Sequence, residues 1–510
     1  MDAYFAAKAS LFAPPLLPRA GDTPDGKPGI GVVNIDDPAG RRLAQLLPAE
    51  ARLTVSIDGP ADIQVVSEQH SIDGINATLS TPAGSLQLQS ALTGRFNLAN
   101  LALAAGIGVA LGLPLPQIAR GLARLPGIPG RMERVPLPAG VRGPAVFVDY
   151  AHTPDALTRA LAALRPLAQS NQPSGRLITV FGCGGDRDAG KRPQMGQAVA
   201  QAADLLVVTS DNPRTENPQA ILDMIVAGIA APGIESHAAA VTQAPRVLQP
   251  PRLDREGLTT AAAGFFVEPD RRLAIQCAIL AARPEDVVLL AGKGHEDYQI
   301  LGTTKLHFDD REEAARALQL RDGASSRVGS TSSPGLPAVT ASVPIGSSIE
   351  LPVDRVLAAT QGKLVRGGPH KFSAVTIDSR HVTPGCLFVA VHGERHDGHA
   401  FLAAAAAAGA AGLLVQSGHG HSLPTQAGLT IIEVGDTVAA LGQLARAHRD
   451  APEIAGKLRV VAITGSSGKT TTKDLIAAIL TAQVSDPSEV CKTDGNLNNH
   501  LGVPLTLLKL

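Results

Sequence analysis

Residues 460–475 read Val460-Val-Ala-Ile-Thr-Gly465-Ser466-Ser467-Gly468-Lys469-Thr470-Thr471-Thr-Lys-Asp-Leu475. A β-branched run, Val460 to Thr464, stops at Gly465. Small residues follow, and then a helical pattern that includes Ile476 and Ile479. Strand, glycine-rich turn and helix in that order build an anion cradle. Small residues let backbone N–H groups turn inward, the helix N-terminus adds partial positive charge, and Lys469 adds a full one. Thr470 offers a hydroxyl to Mg2+ in such a loop. The general pattern has a glycine where Ile463 stands, so the strict spacing is not met, while the order of its parts is.

Working outward, a chain of 510 residues is expected to hold several domains. A net charge of −1 excludes general attraction to polyanions, so phosphate binding must be local and no nucleic-acid partner is expected. Aromatic residues make up only 3% and Trp is absent, so small aliphatics must fill the cores, as suits helix-covered parallel sheets. Cys183, Cys277, Cys386 and Cys491 are far apart and form no Cys-x-x-Cys pair, which argues against zinc and a disulfide framework and fits a reducing cytoplasm. No basic segment followed by an apolar run opens the chain, so no signal peptide is expected. The alanine-rich stretch Leu402–Ala411 is too short to span a bilayer.

Residues 322–348 are rich in Ser, Gly, Pro and Thr and read as a flexible tether between two parts. Before it, alternation at Thr54–Ile57, Ile63–Val66 and Leu86–Leu88 suggests a small β region, with helices at Phe96–Leu111 and Leu115–Leu125. Four apolar runs then each end in a polar cluster. Val146–Val148 leads to Asp149-Tyr-Ala-His152, and Leu177–Val180 leads to Gly182-Cys-Gly-Gly-Asp-Arg187-Asp188. Leu205–Thr209 leads to Asp211-Asn212-Pro213-Arg214, and Val287–Leu290 leads to Gly292-Lys-Gly-His-Glu296. Helical segments lie between them, which is the pattern of a parallel α/β sheet; right-handed crossovers bring all four clusters to one edge. Pro-rich 238–264 reads as a surface insertion. After the tether, short strands at Ser373–Asp378, Leu387–Val391, Gly412–Val415 and Thr430–Glu433 make a compact α/β domain.

Arg187, Lys191 and Arg214 near Asp186, Asp188 and Glu296 give a site with both charge signs, suited to a zwitterion: guanidinium forks for a carboxylate, acids for an ammonium. A surface ion-pair network would look the same in sequence.

These residues resemble the Mur ligases of peptidoglycan synthesis. Tyr4-Phe-Ala-Ala-Lys8, Gly94-Arg-Phe-Asn97-Leu-Ala-Asn100, Gly130-Arg131-Met-Glu133, Asp149-Tyr-Ala-His152, Asp211-Asn-Pro-Arg214 and Gly292-Lys-Gly-His-Glu296 look like the member that adds the third amino acid to a UDP-N-acetylmuramoyl dipeptide. Thr376-Ile-Asp378-Ser379-Arg380, Gly393-Glu-Arg-His-Asp-Gly-His399, the phosphate loop and Gly495-Asn496-Leu-Asn498-Asn499 look like the member that adds D-alanyl-D-alanine.

The resemblance implies an α/β multidomain fold: 1–133 as the end of a first nucleotide domain, 134–321 as its Rossmann-like amino-acid domain, 322–348 as linker, 349–456 as a UDP-substrate domain, and 457–510 as the start of a second nucleotide domain with its loop. It implies ATP and Mg2+, UDP-N-acetylmuramoyl peptides, meso-diaminopimelate and D-alanyl-D-alanine, with no membrane insertion, in a cytoplasmic monomer. Lys8 matches a carbamoylated lysine that serves Mg2+ alongside Thr470. Asn97, Asn100, Arg131, Asp149 and His152 match nucleotide contacts, as do Gly465 to Thr471, with Lys8, Arg131 and Lys469 as the catalytic residues. Arg187, Asp211, Asn212, Pro213, Arg214, Gly292 and Glu296 match the amino-acid pocket, the Asn-Pro-Arg form being that of diaminopimelate enzymes. Asp378, Ser379 and Arg380 match the UDP-sugar domain, and Asn496, Asn498 and Asn499 the muramoyl-peptide site. The expected whole is a piece of a fused, bifunctional polypeptide with the loop belonging to its second ligase and neither site complete. The alternatives are a non-catalytic binding fragment and a folylpolyglutamate-type ligase; the Asp211–Arg214 and Thr376–Arg380 motifs argue against the latter.

Overall fold

The computed structural model describes residues 2–14, 17–18, 28–170, 174–230, 263–322, 349–393, 397–419, 428–494 and 497–510. Most of the proposed insertion (238–262) and of the tether (323–348) lies outside the described residues, as does Asn496. The chain divides into two compact units. One takes in the described residues through Asp322 together with Gly465–Gln483; the other takes in those of 349–464 together with Val484–Leu510.

The first unit opens on a five-stranded sheet in the order Gly31–Asn34, Arg52–Ser56, Ile63–Ser71, Gly74–Thr81, Gly84–Ser90. The first three strands are parallel and the last two antiparallel. Gly74–Thr81 alternates buried Ile75, Ala77 and Leu79 with the more exposed Asn76, Thr78 and Ser80, the period of a half-buried strand, although the sequence reading did not single it out. Helix Arg95–Ala110 covers one face of this sheet and helix Leu115–Ala123 packs on its last strand.

A second, six-stranded sheet has the order Gly264–Val267, Leu205–Val208, Leu177–Phe181, Val287–Ala291, Ala145–Asp149, Glu133–Val135. All neighbours are parallel except the edge strand Glu133–Val135. Its four central strands are almost wholly buried, as continuous Val/Ile/Leu runs require when helices cover both faces. Helices Pro154–Ser170, Lys191–Ala202 and Pro218–Ile229 share a core with one face; Arg271–Ala281 and Asp310–Asp322 share one with the other. Val287–Ala291 returns between strands Leu177–Phe181 and Ala145–Asp149, and that reversal of strand order is where crevices open in such sheets.

Helix Lys469–Thr481 forms as the sequence pattern predicts, but Val460–Thr464 is not a strand: it joins no ladder, and Val460 is exposed. A β-branched run becomes a strand only beside a partner edge. The division of the chain also differs from the sequence-based one. The loop and its helix belong to the first unit, packed on Arg95–Ala110 and Leu115–Ala123, while Val484–Leu510 belongs to the second. The fit is close. A Cβ on Gly121 would lie 2.5 Å from Ile479 Cα, so glycine lets the two helix backbones touch. Leu475, Ile476 and Ile479 are buried, and each contributes about 1.5–3 kcal/mol to this docking.

The second unit is a five-stranded sheet in the order Lys363–Arg366, Thr430–Val434, Gly412–Gln416, Leu387–Val389, Val375–Thr376, parallel except for the Lys363–Arg366 edge. Helices Val353–Thr360 and Thr437–Arg449 pack on it, and helix Gly502–Leu507 packs on the latter, with Leu508 in the same core. No described helix is long and apolar enough to cross a membrane.

Candidate active site

The four strand-end clusters of the six-stranded sheet do come together. Gly292 N donates to Asp149 O at 3.0 Å, and Gly185 N to Asn212 O at 2.8 Å. Asn212 Nδ2 donates to Glu296 Oε2 at 3.0 Å, which ties the third cluster to the fourth. Asn212 Oδ1 accepts from the Ile300 N–H at 3.0 Å, so the amide is held with its donor toward Glu296.

Below this pair lies Lys293, fully buried. Its Nζ is 3.4 Å from Asn212 Oδ1, 3.5 Å from Asp211 Oδ1 and 3.9 Å from Glu296 Oε2. Burial depresses its pKa, with the Asp211 carboxylate opposing that shift. Lys293 was not among the residues the sequence singled out. Its signal was a lysine directly after the fully apolar strand Val287–Ala291, where a charge must find partners. Asp211 and Glu296 thus both face the buried ammonium of Lys293.

Arg214 sits in left-handed backbone, φ 51°, and its guanidinium donates to Gly185 O at 2.6 Å. Its backbone is clamped by the hairpin Tyr298–Leu301/Thr304–His307, which sequence reading missed: Arg214 N donates to Ile300 O at 3.2 Å and Gly302 N to Arg214 O at 2.8 Å. Asp186 is also left-handed, φ 53°, as is Met132, φ 47°. Three of the four such non-glycine residues among those described fall at this sheet edge, and stored backbone strain of this kind gathers at functional sites.

The remaining polar groups sort differently from their sequence reading. Asp186 accepts from the Thr215 hydroxyl at 2.7 Å rather than pairing with an arginine, and Lys191–Asp188 at 3.6 Å is an exposed pair. Arg187 is exposed on the loop after Leu177–Phe181, and Pro213 is buried. Asp149 accepts from Met132 N at 2.7 Å and Ala151 N at 2.8 Å, so it fixes the turn that carries Arg131; burial pushes its carboxyl up. Arg131 lies over the Tyr150 ring at 4.9 Å. His152 is exposed, with Nδ1 2.7 Å from Tyr150 O.

At the phosphate loop, Gly468 is left-handed, φ 77°, and starts the helix. Lys469 Nζ donates back to Gly465 O at 2.7 Å, while Ser466 and Ser467 are exposed. Thr470 is half-buried and Thr471 buried. Lys8 Nζ donates to Ser466 Oγ at 3.0 Å. Asn97 and Asn100 are buried: Asn97 donates to Thr93 O at 2.8 Å, and Asn100 accepts from the Thr472 hydroxyl at 3.3 Å. Both side chains are thus engaged inside the unit, seating the loop helix. Cationic side chains around an inward-turning loop fit a phosphate chain. No group of three metal-ligating side chains occurs among the described residues, so Mg2+ would rest on Thr470 and phosphate oxygens, as that ion commonly does.

In the second unit, Arg380 grips Asp378 in two bonds and holds its carboxyl far below the usual range; Ser379 follows in the same short turn. Asn499 Oδ1 accepts from Leu501 N and Gly502 N and caps helix Gly502–Leu507, while Asn498 is exposed. A cap is a sufficient structural role for Asn499.

A phosphate loop joined to a parallel sheet with a two-signed strand-end pocket defines a multidomain α/β ligase fold. The chain belongs to the Mur ligase family. It matches the family's middle domain over residues 1–108 and 463–510, its glutamate ligase domain over 130–254, and its catalytic domain over 371–449. The UDP-N-acetylmuramoyl-L-alanyl-D-glutamate–2,6-diaminopimelate ligase of Synechococcus elongatus is 47% identical over 324 residues, which is 64% of this chain and 56% of that protein. A solved structure bearing the same enzyme name is 33% identical, with a TM-score of 0.42 over 63% of this chain and 57% of its own. MurF from Acinetobacter baumannii is 37% identical, with a TM-score of 0.27 over 32% of this chain and 33% of its own. The chain spans about half the length of the curated relatives it matches.

Proposed function

We propose that the chain carries an ATP-dependent amide ligase that joins meso-diaminopimelate to the terminal carboxylate of UDP-N-acetylmuramoyl-L-alanyl-D-glutamate. The observation that carries this reading is Arg214, clamped beside the Asn212–Glu296 pair. The acids would take the ammonium of the incoming amino acid, and the guanidinium would take the carboxylate that L-lysine lacks. The similarity to diaminopimelate ligases supports it.

In this reading the substrate carboxylate attacks the γ-phosphorus of ATP and ADP leaves. The amine then attacks the acyl phosphate, phosphate leaves, and the nitrogen loses a proton. The protein's share is positioning and charge stabilisation, with Lys469 on the transferring phosphoryl group and Arg131 beside it. Mg2+ would neutralise the phosphate oxygens near Thr470. Lys8 as an ammonium would oppose that ion; carbamoylated, it would carry a carboxylate instead.

Calorimetry with meso-diaminopimelate and with L-lysine tests the pocket. The expected result is binding of diaminopimelate alone, lost on Arg214→Ala. Tight binding of lysine with none of diaminopimelate would overturn it.

The Asp378–Arg380 clamp and its motif favour a second reading for residues 349–510, a UDP-substrate domain of a ligase that adds D-alanyl-D-alanine. Phosphate release dependent on that dipeptide, with the UDP-tripeptide, supports it; release with diaminopimelate only rejects it.

A further inference from the structure

Three candidates stand out beyond the amino-acid pocket: the polar groove on the strands Ile63–Ser71, Gly74–Thr81 and Gly84–Ser90, the stacked rings of His399 and His419, and the seating of the phosphate loop. The last is carried by independent observations from several parts of the chain.

We infer that the phosphate loop Gly465–Thr471 serves the first half of the chain, so that one nucleoside triphosphate site is assembled from residues 465–481 and from segments that precede them by more than three hundred positions. This deepens the ligase reading above, which by itself leaves open which half the loop works for.

Among the described residues, several side-chain contacts tie the loop and its helix to the first half. Asn100 accepts from Thr472 Oγ1 across 372 positions. It also stands where a Cβ on Gly468 would come within 2.3 Å of its Oδ1, so glycine is required at the turn into the helix. Lys8 reaches Ser466 across 458 positions, and Arg159 reaches Ser467 Oγ at 3.5 Å across 308. Behind the loop, Gly121 receives the backbone of Ile479.

The charges point the same way. Lys8 comes to the loop from a distant segment and joins Lys469 there, and Arg159, itself paired with Asp155, reaches Ser467 from another. Like charges gathered from separate segments repel one another, and a bound polyanion relieves that repulsion. A loop that served residues 349–464 would need its cations and its helix-seating residues there. Those that touch it lie instead in the first half: on Arg95–Ala110, on Leu115–Ala123, at the start of the chain, and, for Arg159, on helix Pro154–Ser170. The turn Gly130–Met132, which follows helix Leu115–Ala123 in the chain, is held by Asp149 and lies against the backbone of Gly294 and His295 in the fourth cluster. The downstream segment therefore supplies the phosphate grip, and the first half supplies the rest of the centre.

The test uses the full 510-residue chain with a fluorescent ATP analogue and Mg2+. Lys469→Ala should weaken binding about a hundredfold, and Asn100→Ala about tenfold, the scale of a charged contact and of one buried hydrogen bond. Gly121→Leu should abolish binding by displacing the helix, whereas Arg449→Ala in the second unit should leave affinity unchanged. Because Gly121→Leu also disturbs the packing of helix Leu115–Ala123 itself, hydrogen exchange on the unaltered chain gives a second readout. Adding the nucleotide should protect residues 95–110 and 469–481 together. The inference fails if Asn100→Ala binds as the parent does while Lys469→Ala does not. It fails equally if protection is confined to 469–481, or if the parent chain does not bind the nucleotide. Calorimetry with diaminopimelate reports on the amino-acid pocket separately, so failure of one reading is distinguishable from failure of the other.

Discussion

Replacing Arg271 by methionine should strongly destabilise the amino-acid domain. Arg271 and Asp310 are both fully buried; Nε donates to Oδ1 at 2.8 Å and Nη2 to Oδ2 at 2.6 Å. The same Nη2 donates to Ala291 O at 3.0 Å, directly before Gly292, so the pair also braces the strand end that carries Gly292–Glu296. Charge-assisted bonds this short and two-pronged are strong; burial works against the charged guanidinium, and Asp310 together with Asp211 and Glu296 holds it charged. Removing one partner strands a buried carboxylate, which costs about 3–5 kcal/mol. The orphaned Ala291 carbonyl adds about 1 kcal/mol. Since a domain has roughly 5–15 kcal/mol in total, Arg271→Met removes a large share of it. Methionine matches much of the apolar volume, so a packing loss is not the main term. The double variant Arg271→Met/Asp310→Leu replaces both charges and should recover most of the loss, because an apolar pair of similar size is often as stable as an ion pair. Urea unfolding of the parent, both single variants and the double variant, followed by circular dichroism, gives the coupling energy directly. A loss under about 1 kcal/mol for Arg271→Met, or a double variant as unstable as the single, would refute the electrostatic argument.

Two further outcomes follow from the titrating groups. Asp397 accepts from the His399 backbone N–H and then from its ring, which lowers its pKa from 3.8 to about 2. A depressed carboxylate stabilises the fold above its ordinary value and loses that contribution as pH falls through the folded one. The thermal midpoint of the second unit should therefore drop between pH 3.8 and about 2. Asp397→Asn should flatten that slope, and an unchanged slope would count against the bond. Burial, with the nearby Asp211 carboxylate, pushes the Cys183 thiol up to about 12, whereas Cys491 is exposed. At pH 8 iodoacetamide should label Cys491 and spare Cys183 until the chain unfolds; equal labelling rates would show that the Cys183 pocket opens.

Much of the strand-end pocket was legible because its signal is local. A fully apolar run followed by a polar cluster marks a buried parallel strand and its C-terminal end, and crossover handedness then puts all such ends on one edge. Asp211–Arg214 and Gly292–Glu296 could be read as one site on that ground. The hairpin that clamps Arg214 was not legible, because Tyr298–Leu301 and Thr304–His307 are only four residues each, partly or fully exposed, and show no apolar alternation. Lys293 was hidden for a different reason: burial is not a property of a lysine but of the strand it follows.

The chain by itself determined the parallel-sheet class, the positions of most helices and strands, and the kind of chemistry its polar clusters support. These depend on periodicity, turn residues and side-chain type over a few neighbouring positions. Which partner the phosphate loop takes was decided only by tertiary structure. The motif is the same wherever it docks, and the sequence order placed it with the segments beside it. Docking depends on shape across hundreds of residues: a glycine at 121 that admits Ile479, an asparagine at 100 that meets Thr472, and a lysine at 8 that reaches Ser466. Loop-closure entropy rises only slowly with chain length, so a distant segment can fill that surface once its contacts outweigh the cost of closure.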